Sequence, residues 1–228
     1  MTGREPIEAL IFDMDGTLVD SEPYAEQAWA DFLRLHGHEF NDTVLGRMFG
    51  LRMIEGAAVV KEAYNLALSV EAIAEEQDAL RLAALTGNLE PMPGTGAVLA
   101  FGREAGLKMA LATSSLRHHA DLTLAETNLA GLFDAEATGD EVENGKPAPD
   151  IFLLASERLG VAARRCVVFE DSPAGVASAL AANMRCLWIP TPKTASLDVA
   201  RKPTATLPDL GAAIPWLQAH GIDVRQRA

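Results

Sequence analysis

Ala9-Leu-Ile-Phe-Asp13-Met-Asp15-Gly-Thr-Leu-Val-Asp20 begins as a short apolar run and breaks abruptly into acids and a glycine. Four apolar residues in a row, without alternation, suit a strand covered on both faces, as in a parallel sheet between helices. In open sheets of that kind, ligands bind beyond the carboxyl ends of the strands. Asp13 and Asp15 stand two apart just past this strand, and both can turn into one crevice if the chain bends at Gly16.

The same pattern recurs downstream. Lys108-Met-Ala-Leu-Ala-Thr113, Cys166-Val-Val-Phe-Glu170 and Cys186-Leu-Trp-Ile189 read as further buried strands, with a weaker candidate at Ala205 to Leu207. Helical stripes separate them: Leu122, Ala125 and Leu129; Ile151, Leu154, Ala155 and Leu159; Val176, Ala179 and Leu180. Strand alternating with helix predicts an α/β fold, a Rossmann-like doubly wound parallel sheet. One interval breaks the rhythm. Almost a hundred residues separate Asp13 from Lys108, more than one crossover helix can fill. From Glu22 to about Asn88 the pattern is helical, with faces at Ala25, Ala28, Trp29, Phe32 and Leu33, then Val60, Tyr64 and Ala67, then Ile73, Leu80 and Ala84. This predicts an inserted α-helical cap domain over 20–91, with the core formed by 1–19 and 92–228. The expected hinges are Val19–Ser21 and Leu89–Gly94, where Pro91, Pro93, Gly94 and Gly96 punctuate the return.

Composition limits the partners. The chain has 228 residues, 49% hydrophobic and 22% charged, enough to bury a core. Nineteen Lys and Arg against 32 Asp and Glu leave a net charge of −13. An acidic surface disfavours nucleic acid and anionic membranes, but a bound divalent cation still lets a small phosphorylated metabolite in. Cys166 and Cys186 each sit in an apolar run and read as buried strand thiols, not as a disulfide framework or zinc spacing. No apolar stretch approaches the ~20 residues that span a bilayer. Met1 to Glu8 lacks a hydrophobic signal region, so a short frayed arm, an exposed tail after Gly221, a cytoplasmic location and a monomer are the expectations.

Each strand end carries polar chemistry. Thr113-Ser-Ser115 follows the second apolar run, Glu170-Asp171-Ser-Pro-Ala-Gly175 the run from Cys166, and Gly145-Lys146-Pro147 lies between them. Singly, each has an ordinary explanation: Asp20, Ser21, Asp150 and Ser172 suit helix caps, and a loop lysine is commonly solvated. Together they place carboxylates for a hard cation, a nucleophile and phosphate-oxygen donors at one edge.

With these residues the sequence resembles the haloacid-dehalogenase-like superfamily of phosphohydrolases over essentially its whole length. Asp13-Met-Asp-Gly-Thr-Leu18 matches the first motif, Thr113 the second, Lys146 the third and Glu170-Asp171 the fourth. Asp20-Ser-Glu-Pro23, the GKPAPDIF run at 145–152 and the FEDSPAG run at 169–175 look like the subfamily with a helical cap, which includes beta-phosphoglucomutases and small phosphatases such as pseudouridine-5′-phosphatase. The resemblance implies Asp13 as nucleophile and Asp15 as general acid and base. It implies Mg²⁺ on Asp13, the Asp15 carbonyl and Asp171, with Glu170 holding metal waters. Thr113 and Lys146 would grip the phosphoryl oxygens, with amides near Gly16 and Ser114 assisting.

Competing chemistries of that superfamily fit less well. Its dehalogenases and phosphonatases lack an acid at the Asp15 position, and its transport ATPases place Lys-Thr-Gly where this chain has Met-Asp-Gly. The phosphosugar mutase remains as the alternative. Beta-phosphoglucomutases carry a histidine at the position matched by Ala25 and a cap lysine on a later helix, here Glu75-Glu-Gln-Asp-Ala-Leu-Arg81. A binding module without chemistry would have lost Asp13 or Asp15. For the leaving group, Glu22-Pro-Tyr24, the loop Gly46 to Met53 with Arg47, Leu51 and Arg52, and Ser115 to His118 are candidates. Arg52 either contacts substrate or pairs with Glu55. His118 and His119 read as helix-surface residues, and His36, His38 and His220 as residues at helix ends.

Overall fold

A computed structural model describes residues 5–224. Among them, β1 (Ala9–Phe12), β2 (Lys108–Ala112), β3 (Ala135–Ala137), β4 (Cys166–Glu170), β5 (Arg185–Trp188) and β6 (Ala205–Thr206) form one parallel sheet in the order β3-β2-β1-β4-β5-β6. Side chains alternate across each strand, and both faces are covered. Leu10, Phe12, Met109, Leu111, Val167 and Phe169 pack on the side of α5 (Thr95–Glu104), α6 (Arg117–Glu126) and α9 (Ala213–Ala219). Ala9, Ile11, Ala110, Cys166 and Val168 face α7 (Asp150–Leu159) and α8 (Pro173–Ala181). Stacking of Phe12 on Phe169, centroids 4.5 Å apart, ties β1 to β4. The fold is therefore the α/β layering expected, with β1 central, so Asp13 lands at the middle of the carboxyl edge.

β3 escapes a reading by apolar runs. It is three residues at the sheet margin, and its Glu136 bonds Arg117 at 2.7 Å instead of entering the core.

Between β1 and β2 lie α1 (Glu22–Leu35), α2 (Asp42–Gly46), α3 (Met53–Tyr64) and α4 (Val70–Leu85). Trp29, Phe32, Leu33, Met48, Ala57, Val60 and Ile73 give this insert its own apolar centre, separate from the two faces of the sheet. The two chain crossings run side by side. The Asp20 amide donates to the Glu90 carbonyl at 3.0 Å, and the Met92 amide to the Leu18 carbonyl at 2.8 Å.

The described parts of the two terminal segments differ from expectation. Residues 1–4 and 225–228 lie outside the described residues, but Ile7 and Ile222 are buried in the core. Glu5 pairs with Arg164 and Arg165, and the Glu8 amide bonds the Arg165 carbonyl at 2.9 Å. The described parts of these segments are docked, because each brings one large aliphatic side chain to the sheet's flank. Among the described residues no helix is long and apolar enough to cross a membrane.

After β3, Glu141 accepts from Arg158 at 2.8 Å, Arg117 at 3.1 Å and the Thr138 amide at 2.9 Å. The Arg158 hydrogen bond leads in pulling its carboxyl down to about 2, with the Thr138 bonds adding and burial opposing. A folded-state value below the unfolded one gives stability above pH ~4.5 that is lost as pH falls towards ~2. Glu141→Gln should therefore lower Tm by about 2–4 °C at pH 7. Thermal melts should show that gap closing between about pH 4.5 and 2; a gap constant with pH would count against the pairing.

Candidate active site

The site assembles where β1, β2 and β4 end. Asp13, directly after β1, is 6% exposed and accepts from Lys146 Nζ at 2.5 Å. That lysine, in the loop before α7, is buried over the Phe152 ring and also donates to Glu170 Oε1 at 2.6 Å. Burial opposes its charge, but the Asp13 and Glu170 carboxylates prevail and raise its pKa. It is a fixed cation held between two carboxylates.

The loop after β1 turns at Gly16, whose φ is +76°. A Cβ there would stand 2.6 Å from Asp171 Oδ2 and 3.2 Å from Glu22 Oε1, so glycine is what lets the loop pass these acids. Thr17 donates to Asp171 Oδ1 at 3.3 Å. The turn also aims Asp15 away from Asp13's neighbours and towards the helical insert. There Asp15 accepts from Ser21 at 2.5 Å, Ser115 at 2.6 Å and Arg81 at 2.9 Å. Burial would raise the Asp15 carboxyl, but the Arg81 guanidinium and the two hydroxyls outweigh it and hold it below the ordinary value.

Carboxylate oxygens of Asp13, Glu170 and Asp171 lie within 4.8 Å of one another. Burial, with Glu170 and Asp15 close by, pushes Asp13 up to about 8 despite Lys146. Asp171 is raised too, by burial and then by Glu170 and Asp13. Crowded oxygen donors whose ionised forms repel one another are what a divalent cation stabilises, so these residues fit a metal. Glu170 is partly committed elsewhere: its Oε2 accepts from the Ser172 amide at 3.1 Å and hydroxyl at 2.9 Å, while Lys146 holds Oε1. Gly175 on α8 makes room for it, since a Cβ there would overlap the Glu170 carboxylate. Gly175→Ala should displace Glu170 and misplace Lys146. The expected result is a loss of at least about tenfold in kcat/KM; unchanged kinetics would show that Glu170 positions nothing.

Thr113, fully buried, accepts from the Ser115 amide at 3.1 Å and sits one residue before Ser114, whose hydroxyl reaches the Gly50 carbonyl of the insert at 2.8 Å. Asp13, Asp15, Glu22, Arg52, Ser114, Ser115 and Asp171 share one cavity between sheet edge and insert. Glu22 is raised chiefly by its burial and accepts from Thr191 at 3.4 Å. Arg52 borders the cavity, but its guanidinium bonds Glu55 at 2.7 and 3.0 Å and the Val142 and Glu143 carbonyls at 3.0 and 3.2 Å. It therefore ties insert to core.

Three features went unread in the sequence. Arg81 enters the cavity from α4, where it is the one basic residue among Glu71, Glu75, Glu76 and Asp78. Ser21 makes no cap bond at α1 and instead holds Asp15. His119, expected on a helix surface, is 1% exposed beneath Asp78.

With sheet, insert and acid cluster in place, comparison with known proteins gives the class. Residues 7–183 match the family model of haloacid dehalogenase-like hydrolases, and the chain belongs to that family. It is 35% identical over 182 residues to the phosphorylated carbohydrates phosphatase of Thermotoga maritima, covering 80% of this chain and 84% of that protein. To the fructose-1-phosphate phosphatase YqaB of Escherichia coli it is 36% identical over 181 residues, 79% of this chain and 95% of that one. In fold it is similar to a beta-phosphoglucomutase of Clostridium difficile, with a TM-score of 0.84 at 23% identity, over 94% of this chain and 96% of that one.

Proposed function

We propose that this chain is a Mg²⁺-dependent phosphatase of small sugar phosphates, working through an aspartyl-phosphate on Asp13. The observation that carries it is the pairing of two unlike carboxylates at the end of β1: Asp13 bonded to a buried lysine among metal-fitting acids, and Asp15 bonded to hydroxyls and an arginine of the insert. A cation on the Asp13 cluster would keep Asp13 ionised, as a nucleophile must be, while Asp15, turned towards the insert, is placed for proton transfer.

Asp13 attacks phosphorus through a carboxylate oxygen while Lys146 and Thr113 hold the phosphoryl oxygens. Asp15 gives a proton to the leaving alcohol and then takes one from the water that opens the intermediate. Bonded to Arg81, Ser21 and Ser115, Asp15 is in the ionised form that the second step needs. Exchange of Arg81 from Asp15 onto the substrate would let Asp15 take up a proton from solvent before the first step, and the proton removed from water in the second step restores it. Mg²⁺, matched to the all-oxygen donors of Asp13, Asp171 and the Asp15 carbonyl, would neutralise charge on the transferring phosphoryl group. Residues 20–91 act as a cap that shuts water out during this cycle.

Sugar phosphates are favoured by the phosphorylated-carbohydrate and fructose-1-phosphate phosphatases among the relatives. The mutase alternative is disfavoured by Ala25, which borders the cavity where the resemblance puts a histidine in mutases. Arg81→Ala should cost about 10- to 100-fold in kcat/KM on a preferred sugar phosphate, the value of a hydrogen bond to a charged group, with partial recovery in Arg81→Lys. Equal kinetics in the alanine variant would remove Arg81 from substrate recognition. Conversion of beta-glucose 1-phosphate to glucose 6-phosphate without net phosphate release would restore the mutase.

A further inference from the structure

A second group of ligand-bearing side chains lies where α4 of the insert meets the first turn of α6 in the core. His118 Nε2 is 3.1 Å from both carboxylate oxygens of Asp78, and His119 Nε2 is 3.3 Å from Asp78 Oδ1. The two imidazoles lie together, centroids 4.3 Å apart, and one donor atom from each of the three residues falls within 4.8 Å of the others. His119 Nε2 is buried and has no hydrogen-bond partner, although the carboxylate stands beside it. A clasp between His118 and Asp78 would explain the exposed pair and leave this nitrogen unexplained. Buried polar atoms left unbonded are uncommon, and an ion is one ordinary reason for them.

We propose that Asp78, His118 and His119 form a binding site for a transition-metal cation such as Zn²⁺, bridging the insert and the core. Nitrogen and oxygen ligands at ~2.0–2.2 Å from a tetrahedral ion stand about 3.3 Å apart, and the His–Asp separations are 3.1 and 3.3 Å. Two imidazoles with one carboxylate suit zinc, nickel or cobalt, whereas the all-oxygen cluster around Asp13 suits magnesium. A cavity bordered by Glu75, Asp140 and Arg52 opens on the Asp78 side of the group. An ion held there ties α4 to α6. The site involves none of the residues assigned to phosphate chemistry.

Zn²⁺ alone should be titrated into the full chain by competition with a chromogenic chelator, in saturating Mg²⁺ to cover the carboxylate cluster. His118→Ala and Asp78→Asn serve as variants; the His118 side chain is 48% exposed, so its loss leaves the packing intact. The expected result is one Zn²⁺ per wild-type chain, with binding weakened at least about a hundredfold in each variant. Shifts of the His118 and His119 ring resonances on Zn²⁺ addition should accompany it. Equal Zn²⁺ binding by wild type and both variants would overturn the proposal. So would binding that persists in His118→Ala and disappears in Asp171→Asn.

Discussion

Asp13→Asn is expected to reduce phosphate release by at least about 10⁵-fold while leaving the fold intact, the scale of loss seen when a nucleophile is removed. The amide has nearly the same shape but cannot form the acyl-phosphate. Stability should move the other way. Asp13 is pushed up to about 8 by burial beside Glu170 and Asp15, so its ionised form is disfavoured in the folded chain without metal. A group whose pKa rises on folding costs stability once pH exceeds its unfolded value of ~3.9, and a neutral amide removes that cost. In metal-free buffer at pH 7 the variant should melt at the wild-type temperature or above it. An inactive variant that melts as high as wild type separates chemistry from structure; activity within tenfold of wild type would displace Asp13 as nucleophile.

Asp15→Asn is expected to lower kcat by about 10²–10⁴-fold, the range of general acid–base catalysis, with little change in KM. The loss should depend on the leaving group. A sugar alkoxide needs a proton as it departs, whereas p-nitrophenolate does not. With p-nitrophenyl phosphate the first step should survive in part while hydrolysis of the aspartyl-phosphate stays slow. Rapid mixing should then show a burst of about one p-nitrophenolate per chain, followed by slow turnover. An equal loss for both leaving groups, with no burst, would mean that Asp15 acts only by holding Arg81, Ser21 and Ser115 in place.

What the sequence made legible follows the physics of burial. Strands covered on both faces must be apolar throughout, so β1, β2 and β4 announce themselves as short runs, and the polar residue after each marks the site edge. β3 gives no such signal, because Ala135-Glu-Ala137 sits at the margin and spends its glutamate on Arg117. Residues within one motif, such as Asp13 and Asp15, are brought together by local geometry. Arg81 and Asp15 are 66 positions apart, and their meeting depends on how α4 docks over the sheet. His119 is hidden for the same reason: only the approach of α4 places Asp78 over it. Ser21 looked like a helix cap, since the same hydroxyl serves a cap or a neighbouring carboxylate equally well. Glu170 shows the finer limit. Its place in the acidic pair was plain, but the orientation of its oxygens towards Lys146 and Ser172 comes from the room that Gly175 leaves.

The proposed reaction is metal-dependent hydrolysis of a small phosphomonoester at Asp13. Inorganic phosphate release from a panel of phosphosugars, nucleotides and phosphoacids, run in parallel with Mg²⁺, with EDTA and with Asp13→Asn, tests it most directly. Release should require Mg²⁺, peak on a sugar phosphate and vanish in the variant. Release that persists in EDTA or in Asp13→Asn, or none from any compound, would contradict it.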